Sequence, residues 1–220
     1  MLGKAPRIGG TATANIEGLS HDVPYGCDGT ATPCDAADNS GTLQYVRVWY
    51  GGAAVAADNE INGITFGGVG SGTTVDHCEV ALNVDDGFEF FGGTVNAKYL
   101  STLYVGDDAF DTDKGYQGKM QYLLAMIGTQ GNHGTEMDGN KGGQTTFSAP
   151  QVQSMTVVGS NDNARSSELL RLREEGTGGA FANIVLAKGN GGAVINHDVC
   201  DANGEDGIKV TQTPSSTGKA

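Results

Sequence analysis

The sequence predicts an all-β protein: a right-handed parallel β-helix, a solenoid of about six coils, forming one domain over residues 1–220. Three observations carry this. Glycine supplies 36 of the 220 residues, about twice the usual share of roughly 7%, without the three-residue period of collagen. Apolar stretches rich in Val, Thr, Ile and Tyr recur with a strand's period of two, each closing on a glycine. Finally, Asp85-Asp86-Gly87-Phe88-Glu89-Phe90 is answered 22 residues later by Asp107-Asp108-Ala109-Phe110-Asp111-Thr112.

The repeat unit has two arms. The long arms read LQYVRVWYGG (43–52), TTVDHCEVAL (73–82), NAKYLSTLYVG (96–106), GKMQYLLAMIG (118–128), PQVQSMTVVGS (150–160) and GAFANIVLAKG (179–189). Between them lie the short arms NGITFGG (62–68), DGFEFFGG (86–93), DAFDTD (108–113), HGTEMDG (133–139) and ELLRLRE (168–174). Only SSELLRLREEG (166–176) competes as a helix, with a Ser cap and a terminal Gly. Its Leu170-Arg171-Leu172-Arg173 alternation matches the other short arms and assigns it to strand. Two arms per unit do not make the four-stranded blade of a propeller, so stacked coils remain.

Stacking the short arms aligns Phe88, Phe110, Thr135 and Leu170 at one inward position, and Phe90, Thr112, Met137 and Leu172 at another. Thr65, Glu89, Asp111, Glu136 and Arg171 then form an outward row, with Asp113, Asp138 and Arg173 in a second. Neighbours in such a row stand about 4.8 Å apart. Like charges repel at that distance, so the row calls for an explanation, and three stand open. Arg171 and Arg173 neutralise a solvated outer face; or the acids hold a divalent cation; or Glu89, Asp111 and Glu136, with Arg171, form paired acids and bases acting on a glycosidic bond.

Seven acids fall between Asp85 and Asp113, and a further row precedes the short arms: Asp58-Asn59-Glu60, Asn83 with Asp85-Asp86, Asp107-Asp108, Asn132 and Asn161-Asp162-Asn163. Asp and Asn are ordinary turn formers because their side chains bond the local backbone. Calcium in these turns is the alternative, and the metal set is then Asp85, Asp86, Asp107, Asp108, Asp113 and Asp138.

A formal charge of −13 opposes nucleic-acid and anionic-membrane partners, which need a positive surface. It suits cation binding or an extracellular life. No apolar run is long enough to span a membrane, and MLGKAPRIGG lacks a signal peptide's apolar core. That opening reads as a short arm without a cap, so upstream coils, a partner or a second copy of the chain are expected to cover it. Cys27 and Cys34 flank a Gly/Pro-bearing loop within an insert at residues 20–40. They are expected to form a disulfide in an oxidising compartment; zinc is the rival, without a C-x2-C pair to support it. Cys78 and Cys200 are expected to be free. GGVGSGTT (67–74) lacks the P-loop lysine and leads into a strand, so it is a turn. There is no G-x-S-x-G elbow. Of the four histidines, none at metal-pair spacing, only His133 sits beside the acidic face.

The strings NEINGITFGGVGSGTTVDHCEVALNVDDGFEFFGGTVNAKYL (59–100) and GDDAFDTDKGYQGKMQYLLAMI (106–127) resemble a family of secreted or lipid-anchored bacterial proteins of unknown function, common in marine bacteria. The match covers most of residues 1–140 and weakens beyond. It implies a parallel β-helix at the cell surface and brings no catalytic residues with it. The Cys27–Cys34 insert departs from the family pattern.

The functional expectation is an extracellular or cell-surface scaffold or binding module, whose acidic face takes Ca2+ or a carbohydrate such as a surface polysaccharide. The alternative is a polysaccharide lyase or glycoside hydrolase using Glu89, Asp111, Glu136 and Arg171. A purely structural module is the third class.

Overall fold

The computed structural model describes residues 1–8, 16, 18–19, 23–27, 33–56, 59–139, 148–162, 168–173, 177–188 and 194–197. Asp58, Asn163, Glu174, His21 and Cys200 lie outside the described residues, as do parts of the 20–40 insert. In chain order the strands begin with β1 (Thr42–Gln44), β2 (Arg47–Trp49), β3 (Ala54–Ala56), β4 (Asn59–Glu60) and β5 (Ile64–Gly67). They continue with β6 (Thr74–Ala81), β7 (Phe88–Phe91), β8 (Asn96–Leu103), β9 (Phe110–Asp113) and β10 (Lys119–Met126). The last are β11 (Thr135–Asp138), β12 (Gln151–Val158), β13 (Leu170–Arg173), β14 (Ala180–Ala187) and β15 (Ile195–His197). Among the described residues there is no helix, so none is long and apolar enough to cross a membrane.

Short arms β5, β7, β9, β11, β13 and β15 form one parallel sheet, and long arms β1/β2, β6, β8, β10, β12 and β14 form another. The chain is therefore a parallel β-helix. Coil one pairs the long arm β1/β2 with the stretch from Met1 to Gly3, where Leu2 bridges Gly67 in parallel. Coils two to six are β5/β6, β7/β8, β9/β10, β11/β12 and β13/β14, and β15 opens a seventh. The Leu170–Arg173 stretch is a strand, as its alternation predicts.

The inward register of the short arms agrees with the aligned sequence. Phe66, Phe90, Thr112, Met137 and Leu172 stack in one column, and Phe88, Phe110 and Thr135 in the next. The Phe66 and Phe90 rings lie 4.9 Å apart and the Phe88 and Phe110 rings 5.8 Å apart, close to parallel. Long arms add the columns Cys78, Leu100, Leu123, Met155 and Val80, Thr102, Ala125, Val157. Both sets belong to one apolar core running along the axis. Coil one covers it thinly: Leu43, Val46 and Val48 are only half-buried.

In one respect the two-arm description is incomplete. Each long arm bends part-way along at a left-handed residue: Tyr45, His77, Tyr99, Tyr122, Ser154 and Asn183 all have φ between 51° and 60°. The ladder skips these residues, so the long arm contributes two faces and the coil is three-sided. Left-handed backbone costs a non-glycine residue about 1–2 kcal/mol. Here the bend residues stack outside the coil, with ring centroids 4.8 Å apart for Tyr45 and His77, 4.4 Å for His77 and Tyr99, and 4.8 Å for Tyr99 and Tyr122. Aromatic pairs contribute about 0.5–1.5 kcal/mol beyond burial, which offsets much of the strain. A bend of this kind leaves no sign in a period-two pattern.

A second departure is a strap. After Gly3 the chain leaves coil one and runs along the axis, with Ala5 N–H donating to Gly68 O (2.8 Å), Gly93 N–H to Pro6 O (2.7 Å) and Ile8 N–H to Lys114 O (2.7 Å). Gly68, at φ 56°, is where the strap approaches closest, and a Cβ there would collide with the Gly26 backbone. Cys27 returns to the strap through its N–H to Ala5 O (3.0 Å) and is disulfide-bonded to Cys34. Cys78 is free and buried.

Two measurements follow from the packing. Phe110→Ala removes a fully buried ring from the middle of a column and is expected to cost about 3–5 kcal/mol in chemical denaturation; a loss below about 1 kcal/mol would contradict the register. Tyr99→Val, which puts a β-branched residue at a left-handed bend, is expected to melt lower than Tyr99→Gly, which loses the same stacking without the strain.

Candidate functional site

The outward positions of the short arms form two rows in register. One reads Thr65, Glu89, Asp111, Glu136, Arg171; the other begins Gly67, Phe91, Asp113 and continues to Asp138 and Arg173. The turns before the short arms add Asp85, Asp86, Asp107, Asp108, Asn132 and His133. All of these except Thr65 and Gly67 line a cleft of about 820 Å³. Every residue of both sequence-predicted sets is there: Glu89, Asp111, Glu136 and Arg171, and Asp85, Asp86, Asp107, Asp108, Asp113 and Asp138. The two sets are one site.

The solvated outer face expected as one explanation of the rows is not what forms. Glu89 is only 3% exposed, Asp108 3% and Glu136 6%. Glu89 and Glu136 point away from the core, yet Asn62 contacts Glu89, and His133, Arg171 and Arg173 surround Glu136. The cleft carries eleven carboxylates, while Lys114, Arg171, Arg173 and His133 are its basic groups.

At the acidic end, in coils three and four, oxygens of Asp86, Glu89 and Asp111 lie within 4.8 Å of one another, as do those of Asp85, Asp86 and Asp107. The Asn62 side-chain amide donates to the Glu89 carboxylate. Asp111 Oδ1 is buried and has no hydrogen-bond partner. Burial, then the neighbouring Asp108 and Glu89, pushes Asp86 well above the usual carboxylate range. Burial, then Asp86 and Glu89, does the same to Asp111. Both acids therefore release their protons less readily than free carboxyls.

The turn Asp residues also build the fold. Asp86 Oδ1 accepts the Asp108 N–H at 2.9 Å, and Asp108 Oδ1 accepts the His133 N–H at 2.6 Å. Each aspartate thus fastens the turn of the next coil. The turn-forming reading of this row holds for Asp86 and Asp108, and both also line the cleft.

At the basic end, in coils five and six, Arg173 grips Asp138 with Nε to Oδ1 at 2.6 Å and Nη2 to Oδ2 at 3.0 Å, and reaches Glu136 at 2.9 Å. Arg171 stands 3.6 Å from Glu168 and 3.9 Å from Glu136. The neutralising role expected of the two arginines is therefore real: Arg173 pairs with Glu136 and Asp138 and its charge is also felt by Asp111. Asp113 is matched separately by Lys114.

His133 is the hub that sequence reasoning singled out without assigning it a role. Its Nδ1 lies 2.8 Å from Asp108 and 3.3 Å from Glu136, and its Nε2 lies 3.0 Å from Glu168. Burial lowers its pKa, but the Asp108 and Glu136 contacts outweigh that and push it up to about 9. With a carboxylate at each nitrogen it is an imidazolium, donating from both sides. Asp108, His133 and Glu136 group closely enough to hold a metal ion; without one they form an ion-pair cluster, and a metal would have to displace the His133 proton. Sequence reasoning missed Glu168, Asn62 and Lys114. Glu168 had one signal, its place three residues before Arg171.

The fold and the cleft define a β-helix with an acid-lined site along one face. The chain belongs to the pectate-lyase-like β-helix domain family, whose profile matches residues 1–216. No curated protein and no solved structure matches it.

Raised pKa values set a pH dependence. Asp86, Asp111 and His133 all bind protons more tightly in the folded chain than in the unfolded one. Their contribution is full at low pH: the aspartates lose it above their unfolded value of about 4, and His133 loses it as pH rises from about 6.5 through about 9. The melting temperature of metal-stripped protein is expected to fall steadily from about pH 5 to about pH 9. A higher value at the alkaline end would contradict these assignments.

Proposed function

We propose that the cleft is a carbohydrate-binding site that works with a hard divalent cation of the calcium type. The observation that carries this is the close grouping of Asp86, Glu89 and Asp111, with Asp111 Oδ1 buried and unpartnered. Several carboxylate oxygens at short separation suit Ca2+, which takes six to eight oxygens. Asp85 and Asp107 supply further oxygens beside them. Asp113 and Asp138, of the sequence-derived metal set, are engaged by Lys114 and Arg173 and lie outside the cation site. Family membership supports the sugar, as pectate lyases act on an acidic polysaccharide. An anionic chain would meet repulsion at the acidic end, so the cation bridges its carboxylates to the protein. The Cys27–Cys34 bond supports an extracellular or cell-surface location.

Calcium titrated into metal-stripped protein is expected to release protons, because Asp86 and Asp111 must ionise to bind it. The calorimetric heat should then vary with the ionisation enthalpy of the buffer, and the melting temperature should rise. Affinity should weaken as pH falls, and Asp111→Asn should weaken it by about tenfold or more, the scale of about 1.4 kcal/mol. No heat and no thermal shift at millimolar calcium would end the cation reading.

A second reading is favoured by the same spacing. Carboxyl groups within 4.8 Å fall closer to the about 5–5.5 Å of retaining glycosidases than to the about 6.5–9.5 Å of inverting ones. Asp111, whose burial and acidic neighbours raise its hold on a proton, would be the acid, and the cleft would cleave the sugar it binds. Depolymerisation of polygalacturonate or a neutral glycan that is lost in Asp111→Asn would establish this. Equal background in both proteins leaves the binding module.

A further inference from the structure

We infer that the strap makes the cleft a chain-end site, one that accepts the terminus of a sugar chain rather than its interior. This rests on the carbohydrate reading above and adds the mode of binding. The cleft floor is the pair of outward rows, and one row changes character along the axis. Gly67 and Phe91, in coils two and three, are followed by Asp113, Asp138 and Arg173. The polar members line an open floor, while the apolar members are roofed. Ile16 and Tyr25 close over Phe91 as a small apolar cluster, and Ile16, Leu2 and Tyr25 crowd the space above Gly67.

The roof also meets the turn side. Gly18 N–H donates to Asn59 Oδ1 at 2.7 Å, and Gly18 lies so near Glu60 O that a Cβ there would collide with it. Ile16 and Leu19 from the strap, with Asn59 and Glu60 from β4, thus form a wall across the cleft at coil two. Arg7 braces this wall, its Nε donating to Tyr25 O at 3.0 Å and its guanidinium lying over the Tyr25 ring. At the other end the Arg171 and Arg173 side chains keep 26% and 34% of their surface exposed. A chain lying along the floor from the arginines toward the acids runs into the wall after the Glu89 rung. An internal segment of a long polymer has to continue past that point; a terminus does not.

The test counts chain ends. Polygalacturonate and its partial acid hydrolysates are titrated at equal sugar mass into the calcium-loaded protein, with binding read by calorimetry. If the site takes ends, the sugar mass needed for half-saturation falls by the factor by which hydrolysis multiplies the ends. If half-saturation follows sugar mass alone, the chain-end inference is overturned while the carbohydrate reading stands. No binding of any sample overturns both. As a second measurement, Ile16→Ala with Leu19→Gly, checked by circular dichroism for an intact fold, lowers the wall and should move the dependence toward sugar mass. A folded double variant that still counts ends as the wild type does would also overturn the assignment of the wall.

Discussion

Everything in this structure depends on the translation of about 4.8 Å that relates one coil to the next. A side chain in a β-helix has as its nearest neighbour the equivalent side chain above and below, so each column must tolerate its own chemistry. Phenylalanine columns tolerate it well: Phe66 on Phe90, and Phe88 on Phe110, bury apolar surface and stack in parallel. Glu89, Asp111 and Glu136 are a carboxylate column, where the same spacing is costly.

The chain answers that cost differently along the axis. In coils five and six the acids meet Arg171, Arg173 and a buried imidazolium. In the turns, Asp86 and Asp108 gain backbone N–H groups from the following coil. Around Asp86, Glu89 and Asp111, burial and neighbouring acids push Asp86 and Asp111 toward the protonated form. A cleft that gathers acids in one half and guanidinium groups in the other is a poor way to stabilise a solenoid. It is a reasonable way to hold a cation beside a polar chain.

The strap and the left-handed bends are the two features without a counterpart in simple stacking. Bends at Tyr45, His77, Tyr99 and Tyr122 place aromatic rings outside the core, where they support one another across coils. The strap ties coil one to coils two through four by backbone hydrogen bonds at Gly68, Gly93 and Lys114. Both bring about contacts between residues of different coils, which gives the outer surface of the helix a shape as well as a composition.

The sequence by itself determined the coil. The period of two, the glycine punctuation and the 22-residue echo placed Phe88 over Phe110 and Glu89 over Asp111 correctly, because in a solenoid register follows directly from the repeat. It also brought the right acids to one face, since that face is a column of the same alignment. Tertiary structure alone decided that Glu89, Glu136 and Asp138 are buried, that the turn row and the strand row converge on one cleft, and that His133 sits among Asp108, Glu136 and Glu168. Burial of an outward residue such as Phe91 depends on what crosses over it, and the residues that do so, Ile16 and Tyr25, come from outside the repeat. Pairing of a group such as Asn62 with Glu89 depends on side-chain reach between different rows. Periodicity speaks only of neighbours within a column, so contacts across columns stay invisible until the chain is folded.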